Sequence, residues 1–236
     1  MASPFAKARQ QILEKEMRQE RGNVVATPSS LHLLLAELEN DLEVLKTFNR
    51  TDEKVAHKRN VLVPKYREAV EAYLEGDEQF DNPLFAQMVI WLFDIEDLET
   101  AIKWCGIAID RGLDTPERFK RDFATFCADE VLAWSERMAE KGQSVEPYFS
   151  KVFEKVQKEW SINEKPTAKW FKFAGLHLLR NEKGKPHAAS VGDVEILQKS
   201  KALLIEAHEQ YAAIGVGTMI DNIEQRIRAL ESGNNL

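Results

Sequence analysis

Carboxylates crowd the stretch WLFDIEDLETAIKWCGIAIDRGLDTPERF, Trp91 to Phe119. Asp94, Glu96, Asp97 and Glu99 come first, and Asp110 and Asp114 follow. Converging carboxylates can hold Mg²⁺, which prefers octahedral oxygen ligation, activates water and stabilises a leaving oxygen. A nuclease centre is the chemistry this stretch would support. Each acid also suits a local structural role. Asp97 is placed to cap a following helix, and Glu99 falls in its first turn, where negative charge suits the helix dipole. Asp94 can steady the turn through its own backbone. A second acidic pair, Asp129 and Glu130, is adjacent in sequence. On a helix the two point about 100° apart and do not readily share a metal. The residue-level reading therefore favours structure, with no resident metal and no intrinsic cofactor. Mg²⁺ enters only if the chain cuts DNA, and Asp94, Glu96, Asp97, Asp129 and Glu130 are then the acids to mutate.

Other catalytic patterns are missing from the sequence. It has no G-x-x-x-x-G-K-[ST] phosphate loop and no G-x-S-x-G elbow. His32, His57, His177, His187 and His208 show no ligand spacing. Cys105 and Cys127 sit in apolar helical contexts and read as reduced, buried thiols.

Two basic segments could meet phosphate. RTDEKVAHKRNVLVPKYR carries Arg50, Lys54, Lys58, Arg59, Lys65 and Arg67, with His57 as an extra. Lys54 and Lys58 share a helix face. This segment is the candidate DNA-binding face, and charge reversal at Lys58 and Arg59 is expected to weaken binding without unfolding the chain. The second segment interleaves Lys165, Lys169, Lys172, Arg180, Lys183 and Lys185 with Trp170, Phe171 and Phe173. Those aromatics either stack bases or fill a core. The NEKGKPHAASVGD insert reads as a mobile loop.

Nearly all of the chain reads at helical period, with no strand alternation, so the class is all-α. Ser3-Pro4 starts a helix running to about Glu20. In SLHLLLAELENDLEVLKTF, Leu31, Leu35, Leu38, Leu42 and Leu45 form an a/d heptad seam. The seam serves either packing within the chain or self-association. Thr51 or Asp52 caps a short helix, and Pro64 divides it from PKYREAVEAYLEG. A hairpin follows, Leu84 to Phe93 and Asp97 to Gly112, with Gly112 as terminator and Pro116 closing the unit. DEVLAWSERMAEKG and EPYFSKVFEKVQKEW form further helices. A second hairpin spans Lys165 to Gly215, and TMIDNIEQRIRALESG is the last helix. The expected architecture is a helical bundle with tetratricopeptide-like hairpins and a heptad-like N-terminal helix. The chain divides into an N-terminal DNA-binding and oligomerisation region (1–76), a central hairpin core (77–160) and a C-terminal hairpin region (161–236).

The 236 residues can bury a sizeable core, and 44% hydrophobic with 30% charged residues excludes global disorder. The net charge of −7 advertises no nucleic-acid partner, although a basic stripe can survive on an acidic protein. No apolar run approaches the roughly 20 residues that cross a bilayer. A cytoplasmic protein with no membrane partner is expected.

The ordered series Trp91, Asp94, Asp97, Ala101, Ala108, Gly112-Leu113, Pro116 and Phe119 resembles the small terminase subunits of tailed double-stranded DNA phages. The branch is that of temperate, contractile-tailed phages that package from cohesive ends. The heptad-like helix, LVPKYREAVEAYL and EVLAWSERMAEKGQSVEP resemble it too, so the likeness covers about Leu31 to Phe153. The resemblance implies a packaging role in the bacterial host cytoplasm. It implies binding to cohesive-end DNA, homo-oligomerisation and a large ATPase subunit as partner, which suits the missing phosphate loop. The family is described as the endonuclease subunit of terminase, whereas the residues favour recognition with cleavage by the holoenzyme. Two alternatives stand beside this: a helical protein-binding adaptor that ignores DNA, and a Mg²⁺-dependent endonuclease in its own right. By elimination, the segment from about Lys165 is expected to dock the large subunit.

Overall fold

A computed structural model describes residues 28–76, 80–181 and 184–233. The helix expected from Ser3-Pro4 lies outside the described residues. Among those described, the regular structure is helical, in agreement with the all-α expectation. The likeness of the hairpins to tetratricopeptide units rests on the sequence pattern alone. The chain folds as two compact units, divided between Lys120 and Arg121. The sequence boundaries at 76/77 and 160/161 fall inside these units.

In the first unit, α1 spans Pro28–Thr47, α2 Thr51–His57, α3 Val63–Glu75, α4 Pro83–Asp94 and α5 Leu98–Asp110. Helix α4 is the axis of the core. Leu84 through Phe93 are all buried, which a helix tolerates only when surrounded by others. The Asn82 side chain accepts from the amides of Leu84 (3.1 Å) and Phe85 (3.2 Å), and Pro83 sits in the first turn, where its missing N–H costs nothing. Gln87, inside this core, can accept from both the Trp91 indole (3.0 Å) and Arg118 (3.1 Å).

Two expectations need correction. Pro64 does not separate two helices. A π-helical segment, Lys58–Leu62, joins α2 to α3, and Pro64 lies in the first turn of α3. The wider π turn lets the chain pass a residue that cannot donate a backbone hydrogen bond. The N-cap of α2 is Arg50, not Thr51 or Asp52, and no side chain caps it. Asp52 lies in the first turn and takes the Arg50 guanidinium through two hydrogen bonds, 3.0 and 2.7 Å.

The α4–α5 connection matches the expected hairpin. Glu96 takes a left-handed backbone, φ 60°. The Glu96 amide donates to the Phe93 carbonyl and the Asp97 amide to the Leu92 carbonyl, each at 3.0 Å. This is the Schellman pattern with glutamate at the position glycine usually takes. At the far end of α5 the pattern recurs with Gly112 (φ 65°), and the Leu113 amide donates to Ala108 at 2.9 Å.

In the second unit, α6 spans Phe123–Glu140, α7 Tyr148–Lys158, α8 Glu164–Leu178, α9 Val194–Gln210 and α10 Gly217–Glu231. Helices α8 and α9 pair closely. A Cβ on Gly175 would lie 2.8 Å from Leu204, and the Ser200 hydroxyl donates to the Gly175 carbonyl at 2.8 Å. The described residues of the insert before α9 are held at several points. Gly184 is buried at φ 72°, and a Cβ there would lie 2.9 Å from the Ala139 carbonyl oxygen. Arg180 and Pro186 pair as an isolated bridge, the Asn181 amide donates to the Lys185 carbonyl (2.9 Å), and Arg180 donates to the Gly184 carbonyl.

Candidate nucleic-acid interface

The continuous helix Thr51–Glu75 carries all the residues of the first basic segment except Arg50, its N-cap. Most of its cations are already engaged. Lys58 Nζ lies 2.7 Å from Asp94 Oδ2, with only 13% of the Lys58 side chain exposed. Arg59 donates to the Ile95 carbonyl at 2.9 Å. Arg67 lies 3.5 Å from Asp97 and 3.6 Å from Glu71, with its guanidinium over the Trp104 ring. Lys65 bridges Asp41 (2.8 Å) and Glu37 (3.2 Å) on α1. Lys54 and the exposed Arg59 have no carboxylate partner among the described residues. His57 packs against Phe48.

Burial acts to raise the Asp41 carboxyl, but hydrogen bonds from Lys65 and Tyr66 outweigh it and hold the group below its ordinary value. Lys65 is correspondingly raised by its bond to Asp41. Tyr66 is raised by burial first and by Asp41 second. This triad ties α1 to α3.

The structure thus brings together two motifs that the sequence keeps apart. The acidic turn after α4 faces the basic helix, and its acids serve as counterions and backbone caps. Asp94 pairs with Lys58. Asp97 accepts from the Thr100 amide (3.4 Å), as expected of a cap, and faces Arg67. Glu96 shapes the turn and has a contact of its own. Asp129, on α6, pairs with Arg121, and Glu130 is likewise engaged. Among the described residues, no three His, Cys, Asp or Glu side chains are grouped so as to hold a metal ion.

The heptad seam is partly used within the chain. Leu38 and Leu45 are buried, while Leu31, Leu35 and Leu42 are less completely covered. Leu33, off the seam, is 66% exposed. In the second basic segment, Trp170, Phe171 and Phe173 are buried and stack or pack with Phe149 and Phe153, so they fill a core and cannot stack bases. Lys172 donates to the Ile214 carbonyl (2.8 Å) and Lys165 lies over Tyr211, whereas Lys169 and Lys185 are exposed. Lys183 lies outside the described residues. Cys105 and Cys127 are buried and form no disulfide, as expected.

One cation is invisible to sequence spacing. Arg118, beyond α5, lines a cleft of about 420 Å³ together with Lys54, Lys58 and Lys46, opposite Glu39 and Glu43 of α1. No periodicity links Arg118 to the basic helix, because it arrives through the fold.

A family model for the phage small terminase subunit matches residues 35–165. The chain belongs to the phage small terminase subunit family. It is also 33% identical over 209 residues to a "Probable terminase, endonuclease subunit" of Haemophilus phage HP1 (strain HP1c1). That alignment covers 88% of this chain and 74% of the relative. No solved structure matches. Membership gives the chain a role in phage DNA packaging. The matched region contains the basic helix, the acidic turn and the Arg118 cleft. Among the described residues, no helix is long and apolar enough to cross a membrane.

Proposed function

We propose that this small terminase subunit recognises packaging-site DNA in the host cytoplasm and presents it to a large subunit that carries the ATPase motor. Cleavage of concatemers belongs to the assembled holoenzyme. The observation that carries this reading is the cation-bearing helix Thr51–Glu75, set on a folded face inside the family-matched region. Lys54, Arg59 and Arg118 supply the first phosphate contacts, since Arg59 bonds only a neutral carbonyl and Lys54 and Arg118 share one cleft. Self-association, with the incompletely covered part of the Leu31–Leu45 seam and Leu33 contributing, multiplies weak contacts through effective concentration. The segment from about Lys165 is the proposed docking site for the large subunit.

The relative's name describes that protein as an endonuclease subunit, which favours a second reading in which this chain cuts. The engaged state of Asp94, Asp97 and Asp129 weighs against it, and Mg²⁺ would be a cofactor of this chain only under that second reading.

Binding of labelled cohesive-end duplex by wild type and Lys54→Glu/Arg59→Glu tests the proposal. Removing one cation that touches phosphate lowers the slope of log affinity against log salt by about 0.9. The expected result is weaker, less salt-sensitive binding with unchanged thermal stability. Equal affinity of the two forms would overturn the assignment of this face. Lys58→Glu is not a clean probe, because it would set two carboxylates together at a mostly buried site.

A further inference from the structure

The contact between basic helix and acidic turn has features that simple docking does not require. Asp94 is the last residue of α4, where the helix dipole disfavours a negative charge. Glu96 holds a left-handed backbone at a position that favours glycine. Opposite them, Lys58 and Arg59 open the π-helical segment, a helix form found mostly as single turns and often at functional sites. Both backbones are irregular where they meet. Three acceptors from one short turn, Asp94 Oδ2, the Ile95 carbonyl oxygen and Asp97 Oδ2, face Lys58, Arg59 and Arg67 in sequence order. A row of oxygens on a row of cations is what a phosphate backbone would offer the same helix.

We propose that the turn Asp94–Asp97 is a built-in competitor for the DNA backbone. In the free chain its two carboxylates hold the cations of Lys58 and Arg67, and a duplex displaces them. This rests on the DNA-binding reading above and adds that the face is self-masked. Lys58 and Arg67 reach phosphate only as Asp94 and Asp97 release them, so DNA binding and the state of the hairpin turn are coupled. The device favours a dense polyanion, which replaces both carboxylates at once, over isolated anions.

The test compares wild type, Asp94→Asn/Asp97→Asn and a charge-matched control, Asp110→Asn/Asp114→Asn, whose exposed acids no described cation pairs with. Asn keeps the capping role at position 97. Fluorescence anisotropy with a short labelled duplex, over a range of salt, reads affinity and its salt slope. The turn variant is expected to bind about fivefold or more tighter than the control with a similar salt slope, because the bound duplex meets the same cations in both forms. Equal gains in the two variants would make the pairs purely structural and overturn the masking while leaving DNA binding intact. Binding by none of the forms at low salt would overturn the DNA reading, and masking with it. If the double variant unfolds, Asp94→Asn alone reads the same comparison against Asp110→Asn.

Discussion

The Lys58–Asp94 pair gives the sharpest test of what the acidic turn is for. The two charged atoms lie 2.7 Å apart, with the side chains 13% and 36% exposed. At an effective dielectric of about 20, unit charges roughly 4 Å apart attract by about 4 kcal/mol before desolvation. Exposed pairs retain about 0.2–1 kcal/mol of net coupling, and breaking a fully buried pair costs about 3–5 kcal/mol. A pair with one partner mostly buried and the other one-third exposed should fall between, at about 1–2 kcal/mol. A double-mutant cycle of Lys58→Met, Asp94→Asn and the double variant, followed by urea unfolding, measures it. Lys58→Met keeps the stem that packs at this site, so the cycle isolates the charge. The same curves repeated with Mg²⁺ separate counterion from metal ligand, because a ligand that binds only the folded state must stabilise it. The expected outcome is coupling of about 1–2 kcal/mol and midpoints unmoved by Mg²⁺. Coupling under about 0.3 kcal/mol, together with a Mg²⁺-induced stabilisation that Asp94→Asn abolishes, would refute the counterion argument.

Three further outcomes follow from the geometry. Glu96→Gly removes a left-handed glutamate from the turn and should raise stability by about 0.5–1 kcal/mol in chemical denaturation, whereas a loss would show that the Glu96 side chain matters more than its backbone. Gly184→Ala adds a Cβ 2.9 Å from the Ala139 carbonyl oxygen at φ 72° and should cost about 2–4 kcal/mol, a fall in Tm of roughly 5–15 °C; a Tm that stays put would mean the insert is not pinned. His177 stacks on Phe173 and is held below the ordinary histidine range, first by burial and then by Arg180. The unfolded chain therefore takes up a proton near pH 6.5 before the folded one does. Stability should be full above that pH and decline as pH falls from about 6.5 towards the depressed folded value. His177→Phe should flatten that slope, and an unchanged slope would remove His177 as its source.

Local features of the fold were legible because they are written in neighbouring residues. Asp97 as a cap and Gly112 as a terminator each depend on residues within a turn of the site. Pro64 misled because a helix-breaking residue is also a local signal, and the π-helical segment that absorbs it leaves no mark in the hydrophobic period. The leucine seam showed its spacing but not its partner. Leu38 and Leu45 turn out to be covered by the chain itself. The candidate site was the least legible part. Basic and acidic stretches were both visible, but Lys58 and Asp94 are 36 residues apart, and charge spacing reports only pairs within one helix. Cations that look free in sequence are engaged in the fold, and Arg118 joins them only through tertiary packing.

The recognition role itself is tested most directly by titrating the purified chain against cohesive-end DNA and a shuffled fragment, with Mg²⁺ present, at low and near-physiological salt, and resolving bound and cut DNA on one gel. A salt-sensitive shift that prefers the cohesive-end duplex, with the DNA intact, is the predicted result. Site-dependent cutting by this chain alone, stopped by EDTA and by Asp97→Asn, would contradict it and turn the acidic turn into a nuclease centre.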